Sequence, residues 1–131
     1  MIDKNSENDA KFMRLALKEA EKGIGLTSPN PTVGCVIVKK GKIVGRGYHR
    51  KAGGPHAEIE AIRSAKGKPL KGATIYITLE PCSTYGKTPP CVEAIIKSEM
   101  ARVVYGVKDP DFRHQDKAKR LLKKQGIKVT T

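Results

Sequence analysis

Runs of β-branched residues alternate with helical patterns along this chain of 131 residues. Four runs are typical of strands, and the first predicts a hairpin that turns at Lys40 and Gly41: "VGCVIVKKGKIVGRGY", "ATIYITLE", "ARVVYGV" and "IKV". A first helix is predicted near Ser6, which can form a capping box with Asp9, and three more follow in "HAEIEAIRSA", "CVEAIIKSE" and "HQDKAKRLLKKQG". The order α-β-β-α-β-α-β-α-β predicts an α/β fold with helices on the faces of a central sheet, hairpin first and parallel afterwards.

The net charge of the chain is strongly positive, +13 from 26 basic and 13 acidic side chains. The excess lies in two blocks, because residues 39–72 carry 10 basic and 2 acidic side chains and residues 101–131 carry 9 and 3. Such blocks favour an anionic partner, either a phosphorylated small molecule or nucleic acid. A lysine-rich surface that faces solvent would give the same composition.

The length of the chain indicates one domain, since 131 residues suffice for one hydrophobic core and not for two. We therefore expect a single domain over residues 1–131. No segment is apolar enough to span a membrane, and "MIDKNSENDA" lacks the apolar core of a signal peptide, so we expect a cytoplasmic location and no membrane partner. Three cysteines, an odd number, favour reduced thiols or metal ligands over a disulfide framework.

A histidine and a glutamate, His56 and Glu58, stand two positions apart at a predicted helix start in "GGPHAEIEAIRSA". Pro81 and Cys82 follow the next strand, and Cys91 begins the next predicted helix. The pattern is similar to the H-x-E and P-C-x-x-C signature of zinc nucleobase deaminases, although eight residues, "STYGKTPP", separate the cysteines in place of two.

These residue types suit a catalytic zinc site. One imidazole and two thiolates, from His56, Cys82 and Cys91, give Zn²⁺ three protein ligands and leave a fourth position for water. Glu58, as a carboxylate beside that water, can take its proton and return it elsewhere. Each residue alone has an ordinary explanation, as a helix cap, a first-turn acid or a buried cysteine, but their conjunction favours zinc.

The third cysteine, Cys35, alternates with Val33 and Ile37 along the first strand, which predicts packing in the core. The alternative is a closed structural zinc site completed by Cys35, His49 or His114. That arrangement would make the chain a zinc-bearing binding module without turnover.

Several motifs resemble those of a known family. S-P-N-P-x-V-G, G-Y-H, A-G-G-P-H-A-E and T-P-P-C occur in this order, and residues 12–110 resemble the deaminase domain of the riboflavin biosynthesis enzyme, diaminohydroxyphosphoribosylaminopyrimidine deaminase. The long spacing between the cysteines is typical of that family. The resemblance implies the cytidine deaminase-like fold, a three-layer α-β-α architecture around a central mixed five-stranded sheet.

The resemblance also implies a reaction, the zinc-dependent hydrolytic deamination of 2,5-diamino-6-ribosylamino-4(3H)-pyrimidinone 5′-phosphate with release of ammonia. His56, Cys82 and Cys91 would hold Zn²⁺ while Glu58 moves the proton. Six further residues are candidates for contacts with the ring or the phosphate of this small phosphorylated pyrimidine: Asn30, His49, Ala57, Arg50, Lys51 and Lys87.

The chain departs from the family pattern at two places. Thr84 and Tyr85 stand where the family commonly has two histidines, and "DFRHQDKAKR" stands where it has a glycine-bearing loop. The reductase domain that commonly follows is not expected within residues 1–131, and a homodimer is expected by analogy with the fold.

The competing enzyme is a cytosine or adenine deaminase that acts on RNA, on DNA or on a free nucleobase or nucleoside, and the charge of +13 favours it. The aromatic content of 5%, with no tryptophan, disfavours it because proteins that bind single strands stack bases on aromatic rings.

Overall fold

The computed structural model describes residues 4–23, 32–49, 56–79, 91–107 and 117–131. These ranges form four helices and five strands in the predicted order. The elements are α1 (Lys4–Glu21), β1 (Gly34–Lys39), β2 (Lys42–Tyr48), α2 (Ala57–Ser64), β3 (Thr74–Leu79), α3 (Cys91–Lys97), β4 (Arg102–Val107), α4 (Lys117–Lys124) and β5 (Lys128–Thr130).

The strands form one mixed sheet in the order β2-β1-β3-β4-β5. β1 is antiparallel to both of its neighbours, whereas β3, β4 and β5 are parallel to one another. It follows that β2, β3, β4 and β5 all point the same way and that β1 alone among the described strands runs against them. The predicted hairpin followed by parallel strands is confirmed.

The hairpin between β1 and β2 turns at the two residues that the sequence indicates. Lys40 and Gly41 both have positive φ, 51° and 78°. This conformation is the type I′ turn whose twist matches that of the flanking strands. The predicted position of the turn is confirmed.

The helices divide unequally between the two faces of the sheet. α1 packs on one face, where its Phe12 and Ala16 meet Val36, Val38, Tyr76 and Val104. The opposite face carries α2, α3 and α4, and the apolar cluster there includes Ile37, Ile75, Ile77, Ala61, Ile95 and Leu122. The three-layer α-β-α architecture is therefore confirmed. None of the described helices is long and apolar enough to cross a membrane.

The predicted capping box at the start of α1 is wrong. The helix begins at Lys4, two residues before Ser6, so Ser6 lies inside it. Asp9 instead accepts two hydrogen bonds from Arg102, at 2.9 and 2.6 Å, and one of 2.7 Å from the hydroxyl of Tyr76. A carboxylate in the first turns of a helix thus joins α1 to β3 and β4.

The sheet has a different character at the two ends of its strands. We call these two ends the strand-end edge and the strand-start edge, after the direction of the parallel strands, and neither name refers to the outer strands of the sheet. At the strand-end edge β2, β3 and β4 end, β1 begins, and α2 and α3 begin. At the strand-start edge lie the hairpin turn, the segments that lead into β3, β4 and β5, and the ends of α2, α3 and α4. Ligands of open α/β sheets bind outside the carboxyl ends of the strands, which directs attention to the strand-end edge.

Candidate metal centre

His56 immediately precedes α2 at the strand-end edge. It occupies the N-cap position with φ −73° and ψ 164°, and its side chain makes no capping hydrogen bond. Its carbonyl oxygen accepts the backbone N–H of Glu60 at 3.0 Å. The backbone of His56 therefore starts the helix while its imidazole points elsewhere.

The imidazole of His56 meets the thiol of Cys91, the first residue of α3. Nδ1 of His56 and Sγ of Cys91 are 3.2 Å apart, although 35 positions separate the residues along the chain. His56 is exposed and Cys91 is 2% exposed. Two ligands that share a tetrahedral zinc through bonds of about 2.0 and 2.3 Å stand about 3.5 Å apart, so this nitrogen and sulfur fit one Zn²⁺.

Glu58 is the second residue of α2, two positions after His56. The side chain is buried, with 3% of the residue exposed, and Glu60 is the other acid in that turn. Acidic side chains are seldom buried in proteins, and the dipole of the helix favours an acid at this end. The burial of Glu58 singles it out from Glu60 as the candidate base.

Cys35 is part of the core beneath this site. It is fully buried among the apolar residues under α2, as its alternation with Val33 and Ile37 predicts. Burial raises the pKa of the Cys35 thiol well above its usual range, and the negative charges of Glu58 and Glu19 raise it further. A protonated thiol is the packing form of cysteine and not the metal-binding form.

His49 stands against the predicted ligand His56. It follows β2, is 5% exposed, and its backbone N–H donates to the carbonyl oxygen of Val33 at 3.0 Å. Its ring lies edge-on to the ring of His56, with 5.4 Å between the centroids. Ala57 is fully buried at the first position of α2, where a backbone N–H has no carbonyl partner within the helix.

Several predicted residues lie outside the described part of the chain. The described ranges contain no group of three His, Cys, Asp or Glu side chains able to hold a metal, and the predicted third ligand, Cys82, lies outside them. The predicted residues outside these ranges are Asn30, Arg50, Lys51, Cys82, Lys87 and His114. His56 and Cys91 are thus the two predicted ligands that the structure brings together, and Glu58 follows His56 by two positions in α2.

Glycines in β2 position α2, and sequence reasoning missed them. A Cβ atom on Gly47 would lie 2.6 Å from the nitrogen of Ala61, 2.7 Å from Cβ of Glu60 and 2.8 Å from the carbonyl oxygen of Ala57. A Cβ on Gly45 would meet the carbonyl oxygen of Ala61. The G-x-G spacing within "VGRGY" was the available signal, since glycine inside a strand often marks a close approach of another backbone.

The comparison with protein families identifies the chain. A model described as the cytidine and deoxycytidylate deaminase zinc-binding region matches residues 6–107. The chain belongs to this deaminase family. Membership confirms the predicted deaminase class and the predicted dependence on Zn²⁺, which the arrangement of His56 and Cys91 fits.

Relatives of known name place the chain more narrowly within the deaminase family. It is 54% identical to riboflavin biosynthesis protein RibD of Aquifex aeolicus, a match that covers 94% of this chain and 34% of that protein. It is 50% identical to the diaminohydroxyphosphoribosylamino-pyrimidine deaminase of Buchnera aphidicola subsp. Schizaphis graminum, over 92% of this chain and 82% of that protein. The predicted resemblance is confirmed, and the chain spans about a third of the length of the first of these relatives.

A solved structure supports the same grouping. RibD of Acinetobacter baumannii superposes with a TM-score of 0.91 at 47% identity, over 95% of this chain and 35% of that one. The predicted cytidine deaminase-like fold is therefore confirmed.

Proposed function

We propose that this deaminase hydrolyses 2,5-diamino-6-ribosylamino-4(3H)-pyrimidinone 5′-phosphate in riboflavin biosynthesis. Water supplies the oxygen that replaces the amino group on the ring carbon, the carbon–nitrogen bond breaks, and ammonia leaves. The observation that carries the proposal is the contact of His56 Nδ1 with Cys91 Sγ at 3.2 Å, together with the burial of Glu58 two positions after His56. The 50% identity to a named deaminase of this substrate class supports the choice of substrate.

Each residue of the site has a separate part in this proposal. His56 and Cys91, with Cys82, would hold Zn²⁺, and the bound ion would supply the positive charge that lowers the pKa of the attacking water. Glu58 would take one proton from that water and deliver it to the ring nitrogen, and would then take the second proton from the same oxygen, now bound to the ring carbon, and deliver it to the departing amine. Because the Glu58 side chain is shielded from bulk water, protons would pass between reactants and not to solvent.

Other residues would orient the substrate. His49 holds the ring of His56 from the side, and we propose that it borders the pyrimidine pocket together with Asn30. The backbone N–H of Ala57 would donate to the ring. Arg50, Lys51 and Lys87 are proposed for the 5′-phosphate.

A nucleic-acid base is the alternative substrate, favoured by the charge of +13. Many of the described lysines lie at the strand-start edge, away from His56 and Glu58, so their charge does not line the proposed site. The pyrimidine phosphate is therefore the better supported substrate.

The setting of the enzyme is also proposed. We place a single deaminase domain over residues 1–131, acting as a homodimer in the cytoplasm, where thiols remain reduced and able to bind zinc. Sedimentation equilibrium of the zinc-loaded protein tests the dimer, and a molecular mass of one chain would contradict it.

The first experiment measures ammonia release from the pyrimidine phosphate. The matched variants are Glu58→Gln and Glu60→Gln, because both remove a first-turn acid from α2 and only the first removes the proposed base. We expect Glu58→Gln to lower kcat by about a hundredfold or more and Glu60→Gln to change it little, with equal zinc content in both.

The outcomes separate the chemistry from the substrate. Equal activity in the two variants would remove Glu58 from the mechanism. Zinc binding without ammonia release from this compound, but with release from a base in RNA or DNA, would favour the alternative substrate.

A further inference from the structure

The strand-start edge of the sheet collects most of the excess positive charge. Ten lysines lie there, in the hairpin, in the segment before β3, at the ends of α3 and α4, and at the start of β5. We call this surface the basic edge; its lysines are Lys39, Lys40, Lys42, Lys66, Lys68, Lys71, Lys97, Lys123, Lys124 and Lys128. All are exposed except Lys39, which is half-buried.

Hydrogen bonds join the segments of the basic edge into one continuous surface. Nζ of Lys39 donates to the carbonyl oxygen of Pro69 at 3.2 Å, which connects the hairpin to the segment before β3. The backbone N–H of Gly72 donates to Glu99 at 3.0 Å, and that of Lys128 donates to Ala101 at 3.1 Å. The lysines are therefore held along a common row and are not scattered over the molecule.

Little negative charge opposes this row in the described part of the chain. Glu99 is the one acid among the segments of the basic edge, and it lies 3.8 Å from Lys71 with 66% of its side chain exposed. Asp9 of α1, which reaches the first residue of β4, is already paired with Arg102 at 2.6 Å. Most of the lysines thus keep their charge available to a partner.

Some of these lysines lie at the ends of helices, where a positive charge is expected, and others do not. Cations are favoured in the last turn of a helix, which accounts for Lys97, Lys123 and Lys124. The hairpin lysines Lys39, Lys40 and Lys42 belong to no helix, yet they extend the same positive surface.

We propose that the basic edge binds the phosphate backbone of a nucleic-acid duplex, at a surface separate from the deaminase site. Five strands about 4.8 Å apart give a row of about 19 Å. That length matches between five and six base pairs of a duplex, at about 3.4 Å per step. Lysine binds phosphate as a point charge, so the contact would not depend on base sequence.

The chemistry of the edge favours a duplex over a single strand or a membrane. Its segments, 39–42, 66–72, 97–101 and 123–128, contain no aromatic residue on which an unpaired base could stack. Leu70, Met100 and Ile127 are buried, and the described large apolar residues that are exposed, Leu17 and Leu121, lie outside these segments. The edge therefore offers charge without the apolar anchors of a membrane-binding surface.

The test measures binding of the zinc-loaded protein to a fluorescent 20-base-pair duplex, as RNA and as DNA, by anisotropy across a series of salt concentrations. The edge variant is one protein with three substitutions in the basic edge: Lys42→Gln, Lys68→Gln and Lys123→Gln. The matched control is Lys11→Gln with Arg14→Gln and Lys18→Gln, which removes the same charge from exposed positions on α1. Loss of three phosphate contacts should weaken binding at least about tenfold and reduce the slope of log K against log salt by about 2.7.

The control variant should bind like the unaltered protein, and the edge variant should keep its circular dichroism spectrum and its deaminase activity. Glu58→Gln should retain duplex binding, so failure of the proposed reaction and failure of this proposal are distinguishable. Equal weakening in the edge and control variants would overturn the proposal, since it would show an effect of net charge alone. No duplex binding at low salt, or tighter binding to single strands or to phosphatidylserine vesicles, would overturn it as well.

Discussion

At the scale of single residues, the candidate site contains one cysteine and one glutamate whose surroundings differ from those of other cysteines and glutamates nearby. Cys91 faces an imidazole nitrogen at 3.2 Å, whereas Cys35 is fully buried among apolar side chains. Glu58 is buried and Glu60 pairs with Arg63 at 3.8 Å near the surface. Burial and neighbours therefore assign different roles to residues of the same type.

Substitution of the two cysteines should have different effects on the zinc content of the protein. Cys91→Ser should lower the zinc content of the purified protein well below one ion per chain, because a hydroxyl is a poor substitute for a thiolate ligand. Cys35→Ala should keep the zinc and lose about 1 kcal/mol of stability through a small core cavity. Mass spectrometric metal analysis and urea unfolding provide the measurements, and loss of zinc in Cys35→Ala would revive the closed four-ligand site.

The lowered pKa of the Asp9 carboxyl predicts that the stability of the fold depends on pH. Burial would raise the pKa of this carboxyl, but hydrogen bonds from Arg102 and Tyr76 and the charge of Arg102 outweigh it and hold the pKa below its usual range. The folded protein therefore binds the Asp9 proton more weakly than the unfolded chain does. The resulting stability is present at neutral pH and is lost as the pH falls below about 4, through the folded pKa.

Asp9→Asn measures this contribution. With side chains 18% and 21% exposed, the pair of Asp9 and Arg102 is partly buried, and the variant should lose about 1 to 3 kcal/mol at pH 7. Its urea midpoint should also fall less steeply below pH 4 than that of the unaltered protein. Glu99→Gln is the control, because its exposed pair with Lys71 contributes little. Parallel pH profiles for Asp9→Asn and the unaltered protein would show that the pair is not linked to folding.

At the scale of elements, the site is set by how closely α2 approaches β2. The helix contributes Glu58 and follows directly on His56, and Gly45 and Gly47 let its backbone lie against the strand. The opposite face uses the same device, because a Cβ atom on Gly34 of β1 would meet the backbone of α1 at Ala16 and Ala20. Glycine at such positions serves packing and not chain flexibility.

Gly47→Ala should displace α2, the helix that carries the proposed base Glu58. The added Cβ would lie 2.6 Å from a backbone nitrogen of α2, so the helix must move away from the strand and carry His56 and Glu58 with it. A displacement of about 1 Å can cost about a hundredfold in rate, so we expect kcat to fall by at least tenfold in protein that still folds.

Gly106→Ala is the control for Gly47→Ala. It alters a strand glycine of β4 whose nearest neighbour would be the carbonyl oxygen of Thr78 at 3.4 Å, an ordinary contact. Ammonia release per folded molecule, with zinc content measured alongside, gives the comparison. Equal activity in the two variants would contradict the role assigned to Gly47.

At the scale of the whole molecule, the two edges of the sheet carry different properties. The strand-end edge holds the predicted metal ligands His56 and Cys91 and the buried Glu58, and the strand-start edge holds the lysines of the basic edge. The two described apolar clusters, one on each face of the sheet, contain none of the predicted metal ligands. The fold should therefore survive without zinc.

Removal of zinc by a chelator should lower the melting temperature without unfolding the protein at 25 °C. The ion would link the residue before α2 to the first residue of α3, and any ligand of the folded state stabilises it by mass action. Circular dichroism before and after chelation, with zinc restored at the end, measures the shift. Complete unfolding on chelation would contradict a core that is independent of the metal, and an unchanged melting temperature would contradict the link.

Much of this protein is determined by its sequence because the signals are local. The order of the elements follows from periodicity within each segment, and the hairpin follows from two adjacent residues, Lys40 and Gly41, that adopt positive φ. The pair of His56 and Glu58 is equally local, since both stand at the start of one helix. The contact of His56 with Cys91 across 35 positions was also predicted, but from a motif and not from local physics. Only the tertiary structure decided the pairing of Asp9 with Arg102 in place of a helix cap and the gathering of lysines on one edge. The physical reason is that local patterns set backbone conformation, whereas strand order and helix packing set which distant side chains meet.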